Sequence, residues 1–145
     1  MRKAIGSLLL AAALGACSDS TGLDPDDIAG TWVASVWVFT NTANTSQTAD
    51  IMALGGSWML VLNADGTFTS TIQEPGDDLP DVDTGTYEVV GSLITIAESG
   101  QGSPTEFQAV RNGDSMTLTT SEEDFDWDDD GQDDPASMRL VLNRQ

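Results

Sequence analysis

The sequence predicts an all-β domain, a closed antiparallel barrel or a sandwich of eight or nine strands, behind a leader segment. Three observations carry that prediction. Short runs of threonine, valine and aromatics recur from residue 31 onward, punctuated by Gly, Asp and Asn. No long stretch shows helical periodicity. Turn signals such as Ala64-Asp65-Gly66 and Asn112-Gly113 sit between runs that alternate apolar and polar residues.

The leader comes first. Met1-Arg2-Lys3 is a basic start, and residues 4–16 are apolar or small. That order predicts a helical signal peptide over 1–16. Its apolar run is shorter than the roughly 20 residues that a membrane-spanning helix needs. Leu14-Gly15-Ala16-Cys17 then resembles the lipobox of bacterial lipoproteins. The resemblance implies a lipid thioether on Cys17, cleavage after Ala16 and an acylated new N-terminus. A cysteine thiolate is a suitable nucleophile for taking the lipid, and several acyl chains make a durable anchor. Ser18 in place of aspartate points to the outer membrane, with Asp19 one position later. The expected address is therefore the cell envelope, lipid-anchored at the outer membrane.

Residues 17–26 are polar with Gly and Pro and read as a flexible tether. Asp24 and Pro25 suit the N-cap and first position of a brief helical turn. The domain then spans 27–145. Its expected strands are 31–40, 57–63, 67–73, 85–90, 92–98, 105–111, 115–121 and 136–143, with 46–53 a weaker ninth. The first is apolar on both faces, with Trp32, Val36 and Val38 alternating against Val33, Trp37 and Phe39. In the last, Met138, Leu140 and Leu142 share one face. The acidic stretch 74–83, with its two prolines, reads as a mobile loop.

Gly30-Thr31-Trp32 follows the helical turn and matches the G-x-W pattern that opens the first strand of lipocalin-like proteins. The chain resembles that superfamily over about 27–145, and G-x-W is its one specific motif. The resemblance implies an eight- or nine-stranded barrel whose end is closed by Trp32 beneath a late arginine, Arg144 or Arg139. It also implies a small apolar ligand held inside. An eight-stranded barrel either encloses one small ligand or is filled by its own side chains, and residues such as Ala34, Val36, Ser70, Ile72 and Ala109 permit both.

The sharpest motif within the domain is acidic. Asp126, Asp128, Asp130, Gln132 and Asp134 alternate along one loop, with Gly131 where a calcium loop turns sharply. Hard oxygen ligands at alternate positions let a short loop wrap a cation. Here Gln132 would offer its backbone carbonyl and the others carboxylates. Ser137 stands where the bidentate glutamate of such loops belongs, and Pro135 forbids an exiting helix. Glu122, Glu123 or Asp124 are substitutes for the missing ligand. The same run also reads as a solvated acidic loop.

Composition narrows the function. The 145 residues hold 24 acidic and 5 basic side chains, no histidine and one cysteine, for a formal charge of −19. Cleavage after Ala16 would leave Arg111, Arg139 and Arg144 against the same 24 acids, a charge of −21. Such a surface repels nucleic acid and anionic headgroups. Without histidine, a spare cysteine or a G-x-S-x-G elbow, no catalytic set is recognisable and an enzyme is not expected. No cofactor is required, and Ca2+ is the candidate ion. Two readings stay open. One is a lipid-anchored carrier of a small hydrophobic ligand. The other is a structural or interaction module with a filled barrel and an acidic, calcium-stabilised loop.

Overall fold

The computed structural model describes residues 22–100, 102–128 and 130–145. The expected signal peptide, Cys17 and the first part of the tether lie outside the described residues. A short helix α1 (Pro25–Ile28) precedes nine strands. These are β1 (Gly30–Asn41), β2 (Thr48–Asp50), β3 (Ser57–Leu62), β4 (Thr67–Gln73), β5 (Asp81–Val90), β6 (Leu93–Glu98), β7 (Thr105–Asn112), β8 (Ser115–Phe125) and β9 (Asp134–Arg144). Every pairing is antiparallel. The order runs β2-β1-β3 through β9, and β1 also pairs with β9. That last pairing closes eight strands into a barrel, with β2 added beside the far half of β1. This architecture agrees with the lipocalin-like barrel that G-x-W implies.

Closure depends on the length of β1. Its first residues, Gly30 to Val33, pair with β3, whereas Val38 to Thr40 pair with β2, and the strand runs along β9 throughout. One strand therefore bridges two neighbours on one side, and among the described residues no long sheet edge is left open for association. A β-bulge between Ala34 and Val36 shifts the phase of alternation. Trp32, Ala34, Trp37 and Phe39 consequently all face inward, while Val36 and Val38 are only half-buried. This corrects the strict two-residue alternation, and it removes Val36 from the interior set.

Other boundaries moved for related reasons. Residues 81–83 are not loop: the pairs Asp81 with Ile72, Val82 with Thr71 and Asp83 with Ser70 extend β5 beyond the expected 85–90. Side chains that alternate in and out tolerate carboxylates on the wet face of a ladder. Strands β8 and β9 also outrun expectation, because Asp124 and Phe125 pair with Pro135 and Asp134. The weak strand over 46–53 shrinks to the three residues of β2. Buried Ile51 follows it, its N–H donating to the Trp37 carbonyl at 2.8 Å.

The helical turn forms as capping chemistry predicts. The Asp24 carboxylate accepts from the Asp26 N–H at 3.0 Å, and Pro25 opens the helix. Leu23 already belongs to the barrel, since its N–H donates to the Gly91 carbonyl at 2.7 Å. At Ala64-Asp65-Gly66 the hairpin turns through Gly66 at φ +81°. The Asp65 carboxylate accepts from the hydroxyl and the N–H of Thr67, which holds it below the usual carboxylate range.

One half of the interior is solid. Ile28, Trp32, Leu62, Met116, Leu118 and Leu142 are fully buried there, beneath α1. Each such burial contributes about 1.5–3 kcal/mol relative to exposure. The other half, where β1 ends and β9 begins, is not filled.

Candidate functional site

At the open end the interior residues stop meeting. A chamber of about 270 Å³ lies between Trp37, Trp58, Phe68, Ile72, Phe107 and Met138. Outside it a wider vestibule of about 600 Å³ is bordered by Ile51, Leu54, Phe125, Asp126 and Asp133. Trp37, Phe39, Glu74 and Asp124 line both. The two β-bulges build this end. The one in β1 turns Trp37 and Phe39 inward. The one in β8, between Thr120 and Glu123, turns Glu123 toward the chamber in place of Glu122.

Aromatic rings form the walls. Trp37 meets Trp58 edge-on with centroids 5.2 Å apart. Phe39, Phe125 and Trp127 continue toward the rim at 5.1 and 4.6 Å. Offset and edge contacts of this kind suit the quadrupoles of the rings. The Trp58 N–H donates to the Ser70 hydroxyl at 2.8 Å, deep in the wall. Trp37 is only 4 % exposed, yet its indole N–H has no acceptor. An unmet buried donor costs about 1–3 kcal/mol.

Carboxylates line the same space. Glu98 ends β6, Glu123 and Asp124 lie on β8, and Glu74 follows β4. None of Arg111, Arg139 or Arg144 lines the chamber or the vestibule. Burial pushes the Glu123 carboxyl above its usual range, and the charges of Asp124, Glu98 and Glu122 push it further.

The acidic loop borders this mouth. The carboxylates of Asp126, Asp128 and Asp130 converge, with one oxygen of each within 4.8 Å of the others. Asp126 accepts from the N–H groups of Asp130 and Gly131 at 3.2 and 2.9 Å, and Gly131 takes φ +82°. Asp130 accepts from the N–H and the side-chain amide of Gln132 at 2.8 and 3.2 Å. Asp134 stands outside this cluster, because pairing with Phe125 commits it to the start of β9. Glu122, Glu123 and Asp124 stay on β8 and do not join it.

The closed end is built around Trp32. The Arg144 guanidinium lies over the indole at 4.6 Å from its centroid. It also donates to the Ala29 carbonyl at 2.8 Å and to the Asp27 carbonyl. The Trp32 N–H donates to the Ile28 carbonyl at 2.8 Å. Gly30 has φ +144°, and a Cβ there would sit 3.0 Å from Arg144 Nη1. The glycine of G-x-W thus leaves room for the arginine. Arg139 instead points outward from the middle of β9.

Sequence reasoning named the residues of the closed end and of the acidic loop, with Glu123 as a substitute cation ligand, but it named neither Trp58 nor Glu98 as site residues and did not place Glu123 in a chamber. Trp58 sits in an ordinary alternating strand and carries no motif. Glu123 enters the chamber only because a bulge shifts the phase of β8, and no local signal marks that bulge. Among the described residues no helix is long and apolar enough to cross a membrane. Set against known protein families, curated proteins and solved structures, the chain matches none of them.

Proposed function

We propose that this is a lipid-anchored bacterial envelope protein whose barrel carries a small, largely apolar ligand at its open end. The carrying observation is the chamber between Trp37, Trp58 and Phe107, closed below by a solid core and open above. Concave, aromatic-lined space with a few polar groups is the usual form of a small-molecule site. A barrel filled only for stability has no need of that space. The anchor is supported by sequence: basic start, apolar run and Leu14-Gly15-Ala16-Cys17. Acylation at Cys17 would hold the domain at the outer membrane.

One measurement tests both parts. The full chain is expressed in a Gram-negative host, extracted in non-ionic detergent and released into a native mass spectrometer. The expected species lacks residues 1–16, carries acyl groups that Cys17→Ser abolishes, and retains a noncovalent organic adduct. Ile72→Trp fills the chamber and removes the adduct while the acyl mass stays. An unacylated chain defeats the anchor. An acylated chain that never carries an adduct defeats the carrier.

The interaction-module reading has one observation in its favour, the convergence of Asp126, Asp128 and Asp130. These residues would share a calcium ion through carboxylate oxygens, and the ion would relieve their mutual repulsion. A calcium adduct that a chelator strips and Asp128→Ala prevents, on a chain without organic adduct, supports that reading. The absence of any specific calcium mass at millimolar calcium removes it.

A further inference from the structure

The chamber is apolar in its walls and anionic in its lining, and the two features together select a class of ligand. Glu98 and Glu123, both half-buried, line the chamber together with Trp37, Phe107 and Ile96. Asp124 and Glu74 complete the set at the junction with the vestibule. A neutral or anionic apolar guest would cover these groups and gain nothing from them. It would lower the dielectric around them, raising the cost of keeping their charge. A guest with a positive head reverses that sign. Its charge meets carboxylates that no arginine among the described residues neutralises, and its body meets aromatic faces that also attract cations.

We propose that the open-end chamber binds a small apolar organic cation, an aryl-alkyl ammonium compound in type, with its charged head toward Glu98 and Glu123. This rests on the carrier reading above and narrows its ligand. The raised proton affinity of Glu123 fits it, since burial and three neighbouring acids already strain that charge and a bound cation would relieve it. The bulge in β8 fits as well. It presents Glu123 to the chamber and leaves Glu122 outside, so the geometry of this strand brings a carboxylate into an aromatic wall.

Three probes of nearly equal shape test the proposal: 3-phenylpropylamine, 3-phenylpropan-1-ol and 3-phenylpropanoate. They are titrated into the full chain in non-ionic detergent, near pH 7, by calorimetry and tryptophan fluorescence. The amine is expected to bind at least about tenfold more tightly than the alcohol, and the acid not at all. Raising salt from 50 to 500 mM should weaken the amine and leave the alcohol unchanged. The Glu98→Gln/Glu123→Gln double variant should lose the preference for the amine while still binding the alcohol. Glu88→Gln/Asp114→Asn changes the net charge equally at the far end and should keep the preference. If the alcohol binds as well as the amine, the cation proposal falls and the apolar carrier survives. If the preference persists in the Glu98/Glu123 variant, the general acidity of the surface causes it and the proposal is overturned. If none of the probes binds, the carrier reading fails with it.

Discussion

Replacing Arg144 with alanine should loosen the closed end of the barrel by an amount its contacts set. The guanidinium makes two hydrogen bonds to backbone carbonyls, of Ala29 and Asp27, and one stacking contact with Trp32. Both carbonyls belong to the α1 segment, so Arg144 ties the helix to the last strand. The group is half-exposed, and each charge-assisted bond is therefore taken near the low end, about 1–1.5 kcal/mol. The stacking adds about 1 kcal/mol. Together Arg144→Ala should cost about 3–4 kcal/mol, out of the 5–15 kcal/mol typical of a domain. For a domain of this size that lowers Tm by about 10–15 °C. The backbone bonds of residue 144 survive, because its N–H donates to the Asp114 carbonyl regardless of side chain. Arg144→Lys should lose about half as much, since a point charge cannot reach both carbonyls while lying flat on the indole. Urea unfolding followed by circular dichroism measures these differences at constant m. A double-mutant cycle with Trp32→Phe should show a coupling of about 0.5–1 kcal/mol. A loss below about 0.5 kcal/mol for Arg144→Ala, or a lysine variant equal to wild type, would refute the account.

Gly85→Ala should be far worse than its size suggests. A Cβ there would sit 2.0 Å from the Ala97 carbonyl oxygen and 2.8 Å from Phe68, so β5 and β6 must part, at about 3 kcal/mol or more by denaturant titration. Gly91→Ala meets nothing within 4 Å and bears only the strain of φ +64°, about 1–2 kcal/mol by the same measurement. Glu123→Gln should change the pH profile of stability in a defined direction. In the fold, burial and then the charges of Asp124, Glu98 and Glu122 raise the Glu123 carboxyl above its ordinary value. Stability linked to it is therefore fully present below the ordinary carboxylate range and is lost as pH rises through the raised pKa. Melting curves of variant and wild type should coincide at about pH 3 and separate toward neutrality, the glutamine form being the more stable. Separation in the opposite sense would mean that Glu123 gains a partner on folding.

Much of the barrel was legible in the sequence. Threonine and valine runs with Gly66 and Gly113 marked the hairpins, since two-residue alternation and positive φ are local properties. Asp24 and Pro25 marked the helical turn for the same reason. The alternation at Met138, Leu140 and Leu142 identified a buried face, and all three are buried. Strict alternation along β1 points Val36 inward, but the bulge that the pairing with β9 creates turns it out. The charges and nearby prolines of residues 81–83 suit a loop, but a ladder with distant β4 makes them strand.

By itself, the sequence determined that the chain is a strand-rich, acidic domain without histidine, and where its turns must fall. Local backbone preferences and the period of the side chains suffice for that. Tertiary structure alone decided that β1 meets β9, that the barrel is solid at one end and hollow at the other, and that Glu98 and Glu123 share a wall with Trp37. Those outcomes depend on the register between strands far apart in the chain and on two one-residue bulges. A shift of one residue exchanges inside for outside, and no local pattern records which exchange the packing will choose.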